Sequence, residues 1–297
     1  MKNITIAGTG VLGAQIAFQT AYSGYNVTVY DISDKILEKA KTNFSNLAEK
    51  YQANLNASQE KLEVAFANLS YSSDLKTAVA DADLLIEAIP ENIDIKTDFY
   101  TKLATVAPEK TVFATNTSTL LPSAIAPFTG RPERFLAMHF SNEIWPHNLA
   151  EIMGHSGTDP KVFDQIVEFA KSIGMVPIPI YTEQPGYVTN SLFLPWAFAA
   201  IKLWAGGVTD METIDKVWMI ATGTKYLPFA TLDTVGMNTI INGLTAMNQN
   251  LKDPVIDKAI KLVQEDYIDK GKLGKLVGEG FYKYPNPAFE DESFLLG

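Results

Sequence analysis

The first thirty-one residues, MKNITIAGTGVLGAQIAFQTAYSGYNVTVYD, narrow the fold more than any other stretch of the chain. A short apolar run at 4–7 suits a buried strand. It leads into Gly8-Thr9-Gly10-Val11-Leu12-Gly13, a G-x-G-x-x-G, and then into a helix-like segment over 11–22. A second apolar run, 27–30, ends on Asp31. Strand, glycine turn, helix, strand and acid follow in the order a dinucleotide-binding βαβ unit requires. Gly8 permits the tight turn, Gly10 lets the backbone approach a pyrophosphate, and Gly13 lets the helix lie against the sheet. With Val11 and Leu12, these residues put the N–H groups and dipole of a helix start beside the phosphates. Asp31 lies 18 residues past Gly13, near the place of the acid that holds an adenosine ribose 2′-OH. A carboxylate there repels a 2′-phosphate, so the expected cofactor is NAD rather than NADP. A lone glycine motif is weak evidence; its flanking elements carry the inference.

A chain of 297 residues is expected to form about two domains. The net charge of −10 argues against nucleic acid and anionic membrane surfaces as partners. No apolar run reaches the roughly 18 residues of a membrane span, and the N-terminus runs directly into the first strand, leaving no room for a signal peptide. Zero cysteines exclude disulfides, thiolate catalysis and cysteine-based zinc sites. The expectation is a cytoplasmic enzyme.

After Asp31 the pattern predicts helices over 33–55 and 57–68, a hairpin projecting from the sheet, and a short helix closing at 77–80. A strand at 83–89 enters a loop at Pro90-Glu91-Asn92, a helix covers 93–106, and a strand at 112–115 delivers Asn116-Thr117-Ser118-Thr119. The strand 135–138 ends on His139, with 150–153 as its plausible partner. A helix over 159–173 and a last strand, 176–181, complete an α/β pattern. Beyond it everything reads as helix and loop. The predicted architecture is an N-terminal Rossmann-type doubly wound sheet over 1–183 with an inserted helical hairpin, followed by an all-α domain over 184–297. That second part is rich in large apolar residues, among them Phe193, Trp196, Phe198, Trp204, Trp218 and Ile220. So much apolar surface on about a hundred residues points to a homodimer through this domain.

The three histidines, His139, His147 and His155, match no common metal-ligand spacing, and no metal is expected. His139 stands apart, at a strand end beside the expected cofactor crevice, where imidazole can move a proton near neutral pH. At this point the chain resembles the L-3-hydroxyacyl-CoA dehydrogenase family over nearly its full length. The resemblance rests on Gly8-Thr9-Gly10-Val11-Leu12-Gly13, on Glu87-Ala88-Ile89-Pro90-Glu91-Asn92 with Lys96, and on Asn116-Thr117-Ser118-Thr119-Leu120. His139-Phe140 with Asn142 and Glu151, Pro185-Gly186-Tyr187-Val188-Thr189-Asn190 and Gly278-Glu279-Gly280-Phe281-Tyr282 complete it.

The resemblance implies NAD-linked interconversion of 3-hydroxyacyl and 3-ketoacyl thioesters, with His139 as general acid/base and Glu151 as its orienting carboxylate. It further implies Ser118 and Asn190 on the reacting oxygen, Asn142 positioning the substrate and His139, and Glu91 and Lys96 lining the cofactor side. Lys96 is equally readable as a solvated lysine, and Asn116, Thr117 and Thr119 read as turn formers.

The chain also departs from the family. The family's proline after His-Phe-x-Asn is replaced by Glu143, and Trp145, His147 and Asn148 enter a loop expected to border the substrate, where Trp145 would shorten the pocket. The hairpin that the family turns toward CoA is lean in cations, with Lys50 and Lys61 among Glu49, Glu60 and Glu63. The substrate is therefore an acyl-CoA, of short chain, or a free 3-hydroxy acid held by Arg131, Arg134 or Lys225. A non-catalytic NAD-binding protein is the third possibility.

Overall fold

Eight strands form one sheet in the order β3-β2-β1-β4-β5-β6-β7-β8. They are β1 (Asn3–Ala7), β2 (Asn26–Tyr30), β3 (Leu69–Ser72), β4 (Leu84–Glu87), β5 (Val112–Thr115), β6 (Phe135–Phe140), β7 (Leu149–Met153) and β8 (Val176–Ile180). The computed structural model describes residues 1–296; residue 297, the last of the 184–297 segment, lies outside them. All neighbours pair in parallel except β6 and β7, which run antiparallel. β4, β5 and β6 are buried along their whole length, as expected of parallel strands covered on both faces. β8 carries Pro177 and Pro179 at alternate positions. As the edge strand it pairs only with β7, so the two missing N–H groups cost no ladder bond and the edge resists further pairing.

The helices of this part are α1 (Val11–Tyr22), α2 (Asp34–Leu55), α3 (Gln59–Ala67), α4 (Leu75–Val79), α5 (Ile93–Val106), α6 (Pro122–Ile125) and α7 (Pro160–Ser172). Two features differ from the sequence expectation. β3 was not anticipated, because Leu69-Ser70-Tyr71-Ser72 is half polar, as befits an edge strand. And the α2–α3 hairpin does not project freely. Phe18 of α1 packs edge-on against Tyr51 at 5.0 Å and Phe66 at 5.6 Å, and the Tyr51 hydroxyl donates to Gln19. Buried aromatic surface of this size draws the hairpin onto α1.

The chain divides into two compact units, Met1–Thr189 and a second beginning at Asn190. Helix α8 (Tyr187–Ala205) starts in the first, and α9 (Met211–Thr222), α10 (Pro228–Val235), α11 (Met237–Leu251) and α12 (Pro254–Asp266) follow. In the second unit Phe229 and Phe281 stack edge-on at 4.8 Å within an apolar core that includes Leu244, Ile256 and Val263. Asp233 of α10 accepts from the N–H groups of Phe281 and Tyr282 at 2.7 and 2.8 Å. A Cβ on Gly280 would sit 2.0 Å from that carboxylate, which explains the glycine. No described helix is long and apolar enough to cross a membrane.

Candidate active site

The strand order reverses beside β1, and in open α/β sheets ligands bind outside the carboxyl ends of strands at such a point. There the Thr9 N–H and hydroxyl donate to one oxygen of Asp31, at 2.8 and 2.6 Å, while the Ile32 N–H donates to the other at 2.8 Å. Asp31 thus ties the end of β2 to the glycine turn. A Cβ on Gly13 would lie 2.1 Å from the Gly8 carbonyl oxygen, whereas one on Gly10 would meet nothing within 4 Å. The first contact explains the tight seating of α1. The second leaves open space above a helix start that has neither a side-chain cap nor an acidic residue in its first turn. A cradle of this shape and charge fits the pyrophosphate of a dinucleotide.

A buried polar network follows at the ends of β4 and β5. Glu87, paired with Thr115 across the sheet, accepts from the Thr115 hydroxyl at 2.7 Å and forms an ion pair with Lys96 at 2.5 Å. Lys96 is 1 % exposed, so it is not a solvated lysine; it also donates to the Ile89 carbonyl at 3.3 Å, and its second ion-pair partner is Glu91 at 3.5 Å. One Glu91 oxygen collects the Thr117 hydroxyl, the Ser118 N–H, and the N–H and hydroxyl of Thr119. Burial alone would raise the Glu91 carboxyl, but the Thr117 hydroxyl, the Lys96 charge and Thr119 hold it below the ordinary range. Glu91 and Lys96 therefore organise the turn that carries Ser118. Thr117 and Thr119 are its turn formers, and the Asn116 side chain accepts from the Phe140 N–H at 2.9 Å. Glu87 was not singled out from the sequence. An acid ending a buried strand nine residues before a lysine was its available signal.

His139 and Glu151 are register partners on the antiparallel strands β6 and β7, which is how residues twelve apart come face to face. Nδ1 of His139 lies 3.0 Å from Glu151 Oε2. The other carboxylate oxygen accepts from the N–H groups of Val188 and Thr189, both at 2.9 Å, in the first turn of α8. Burial would raise the Glu151 carboxyl, but His139 and the Thr189 N–H hold it below the usual carboxylate range. An ionised carboxylate only accepts hydrogen bonds, so Nδ1 carries the proton and Nε2 is left for proton exchange. Tyr187, fully buried, stacks on the imidazole at 4.5 Å and 15°. Burial, and then the charges of Glu91 and Glu151, push its hydroxyl pKa far up, so it stays protonated. Tyr187 too was missed, although Gly186-Tyr187 lay within a motif already noted.

The loop after β6 takes an unexpected course. Trp145 does not shorten a pocket. It is buried in the core, with its indole N–H donating to Asn54 of α2 at 2.9 Å and its ring 5.5 Å from Tyr51. Asn142 accepts from Gln15 of α1 at 2.7 Å. Glu143 has φ +58°, which a proline cannot adopt. Of the cations proposed for a free carboxylate, Arg131 donates to the carbonyls of Pro108, Ala104 and Ala107, and Arg134 to that of Lys110. Both precede β6, at the amino end of that strand, whereas His139 lies near its carboxyl end, so neither is placed for the site. His155 bonds the Pro132 carbonyl at 2.9 Å. Asn190 lies in the first turn of α8 and is the first residue of the second unit.

A doubly wound sheet with a dinucleotide cradle at its switch point and a buried His–carboxylate pair at a neighbouring strand end defines a nicotinamide-dependent oxidoreductase. Two family models cover almost all of the chain: the NAD-binding domain of 3-hydroxyacyl-CoA dehydrogenase over residues 3–184 and its C-terminal domain over 186–284. The chain belongs to the 3-hydroxyacyl-CoA dehydrogenase family and is an NAD-dependent oxidoreductase. It is 34 % identical to human mitochondrial hydroxyacyl-coenzyme A dehydrogenase over 96 % of this chain and 91 % of that one. Its structure matches that of (S)-3-hydroxybutyryl-CoA dehydrogenase from Ralstonia eutropha, with TM-score 0.83 and 26 % identity, over 96 % of this chain and 100 % of that one. It also matches a diketoreductase described for substrate-directed dual catalysis of dicarbonyl compounds, with TM-score 0.90 and 49 % identity, over 96 % and 99 % of the two chains.

Proposed function

We propose that this enzyme interconverts short-chain (S)-3-hydroxyacyl-CoA and 3-ketoacyl-CoA, with His139 exchanging the proton on the C3 oxygen. The observation that carries the proposal is the His139–Glu151 pair, 3.0 Å apart, with Nδ1 committed to the carboxylate. Bound NAD supplies the hydride acceptor for the C3 hydrogen and, reduced, its donor. In oxidation Nε2 of His139 takes the C3 hydroxyl proton, and Glu151 stabilises the imidazolium that forms. In reduction that imidazolium polarises the ketone and returns the proton. Ser118 and Asn190 hydrogen-bond the reacting oxygen in this scheme, Asn142 positions the ligand, and Glu91 and Lys96 support the cofactor side. The proposed cofactor domain is 1–183, with the helical domain following from 184; the compact units divide slightly later, between Thr189 and Asn190. The short acyl chain is supported by the Ralstonia relative, which acts on a 3-hydroxybutyryl-CoA.

A second substrate class, dicarbonyl compounds without CoA, is favoured by two observations. The two lysines on either side of the hairpin turn lie over rings, Lys61 at 4.1 Å from Tyr22 and Lys50 at 5.5 Å from Trp145. And the 49 % identical relative is a diketoreductase. NADH oxidation with acetoacetyl-CoA, beside free acetoacetate and a CoA-free dicarbonyl ester, separates the two readings; NADPH is the cofactor control. Turnover of the thioester alone supports the CoA reading. Turnover of the ester alone replaces it, and turnover of neither removes both.

The proposed state is a cytoplasmic homodimer. Leu192, Leu194 and Leu203 of α8 and Val217, Trp218 and Ile220 of α9 are exposed, an apolar surface that a second copy would cover. Light scattering that gives the monomer mass at micromolar concentration would reject the dimer.

A further inference from the structure

The side-chain amide of Gln15 is buried at 5 % exposure on α1, and its orientation is fixed by partners that can only donate. Its oxygen accepts from the backbone N–H groups of Glu143 at 2.8 Å and Ile144 at 3.3 Å. The NH2 end must therefore face the other way, where it donates to Asn142 Oδ1 at 2.7 Å. That bond turns the Asn142 oxygen toward Gln15 and its NH2 away, so the end that faces away from α1 toward a ligand is a donor. The device depends on Glu143. A proline there has no N–H to donate and cannot take φ +58°.

We infer that Gln15 is a positioning residue that sets Asn142 as a hydrogen-bond donor, so that the site beside His139 selects an acceptor oxygen on the bound ligand. Asn142 stands three residues past His139, on the loop that Gln15 ties to the helix of the glycine turn. The acceptor is a carbonyl oxygen, either the substrate's second carbonyl, thioester or ketone, or the amide carbonyl of the nicotinamide. The inference rests on the proposed acid/base reading of His139 for its place in the site, and on the hydrogen bonds alone for its polarity.

The test is a double-mutant cycle of Gln15→Met and Asn142→Ala, read as KM and kcat for whichever carbonyl substrate is turned over and as NADH Kd by fluorescence. Gln15→Met is expected to raise one of the two binding constants about tenfold, with kcat changed less than about twofold. In the Asn142→Ala background the same substitution is expected to change that constant less than about twofold, because Gln15 acts through Asn142. An effect on KM assigns the acceptor to the substrate; an effect on NADH Kd assigns it to the cofactor. Gln15→Glu keeps the two backbone bonds and loses only the donor, so it gives the KM readout if the methionine variant does not fold. Equal effects in both backgrounds, or no change in either constant, overturn the inference. Absence of turnover in the unmodified enzyme would count against the proposed function, and the NADH measurement would still decide the role of Gln15.

Discussion

At His139 the useful nitrogen is chosen by a neighbour: Glu151 is held ionised by the imidazole and by the Val188 and Thr189 N–H groups, so it accepts from Nδ1. Glu151→Gln is expected to lower kcat by about 10²–10⁴ with NADH affinity unchanged, measured by steady-state kinetics and fluorescence titration. Asp31 makes a different prediction. Asp31→Ala releases Thr9 and removes the expected ribose ligand, so NADH Kd should rise about 10–100-fold while NADPH binding improves. An unaltered preference would place the ribose elsewhere.

Among elements, those with strong periodicity were legible. The βαβ start, α5, α7 and the pairing of β6 with β7 follow from apolar spacing; His139 stood out by its place at a strand end, while Glu151 entered only through the family resemblance. What local pattern could not give was long-range side-chain satisfaction. Lys96 resembles any surface lysine until Glu87 is found beneath it. Trp145 resembles a pocket wall until Asn54 takes its N–H. Gln15, in the middle of a helix, carries no sign of a loop 128 residues away. The hairpin itself was legible, but its seat on α1 was not, because Tyr51, Phe44 and Phe66 find their partner, Phe18, on another helix. Since Trp145 is core rather than pocket, Trp145→Ala should lower unfolding free energy by about 3–5 kcal/mol in urea titration. Acyl-length preference should not shift; a preference for longer substrates would return Trp145 to the pocket wall.

For the molecule as a whole, stability carries a pH signature from the helical unit. Burial, with a contribution from the charge of Asp233, raises the Asp215 carboxyl to about 6, against the backbone bonds of Phe229 and Ala230 and the Tyr282 hydroxyl. A carboxyl whose folded-state pKa lies above its unfolded one stabilises fully below the unfolded value of about 4, and that contribution is lost as pH rises through about 6. Thermal melting should therefore show stability falling between about pH 4 and 7 by roughly 2–3 kcal/mol from this group. Asp215→Asn should flatten that slope; a slope unchanged in the variant would assign it to other groups. The central claim concerns His139 and the cofactor together, and the most direct measurement compares His139→Gln with the unmodified enzyme in NADH-linked ketone reduction and in NADH binding. The account predicts turnover reduced by about 10²–10⁴ with NADH Kd unchanged. Retained turnover would contradict it.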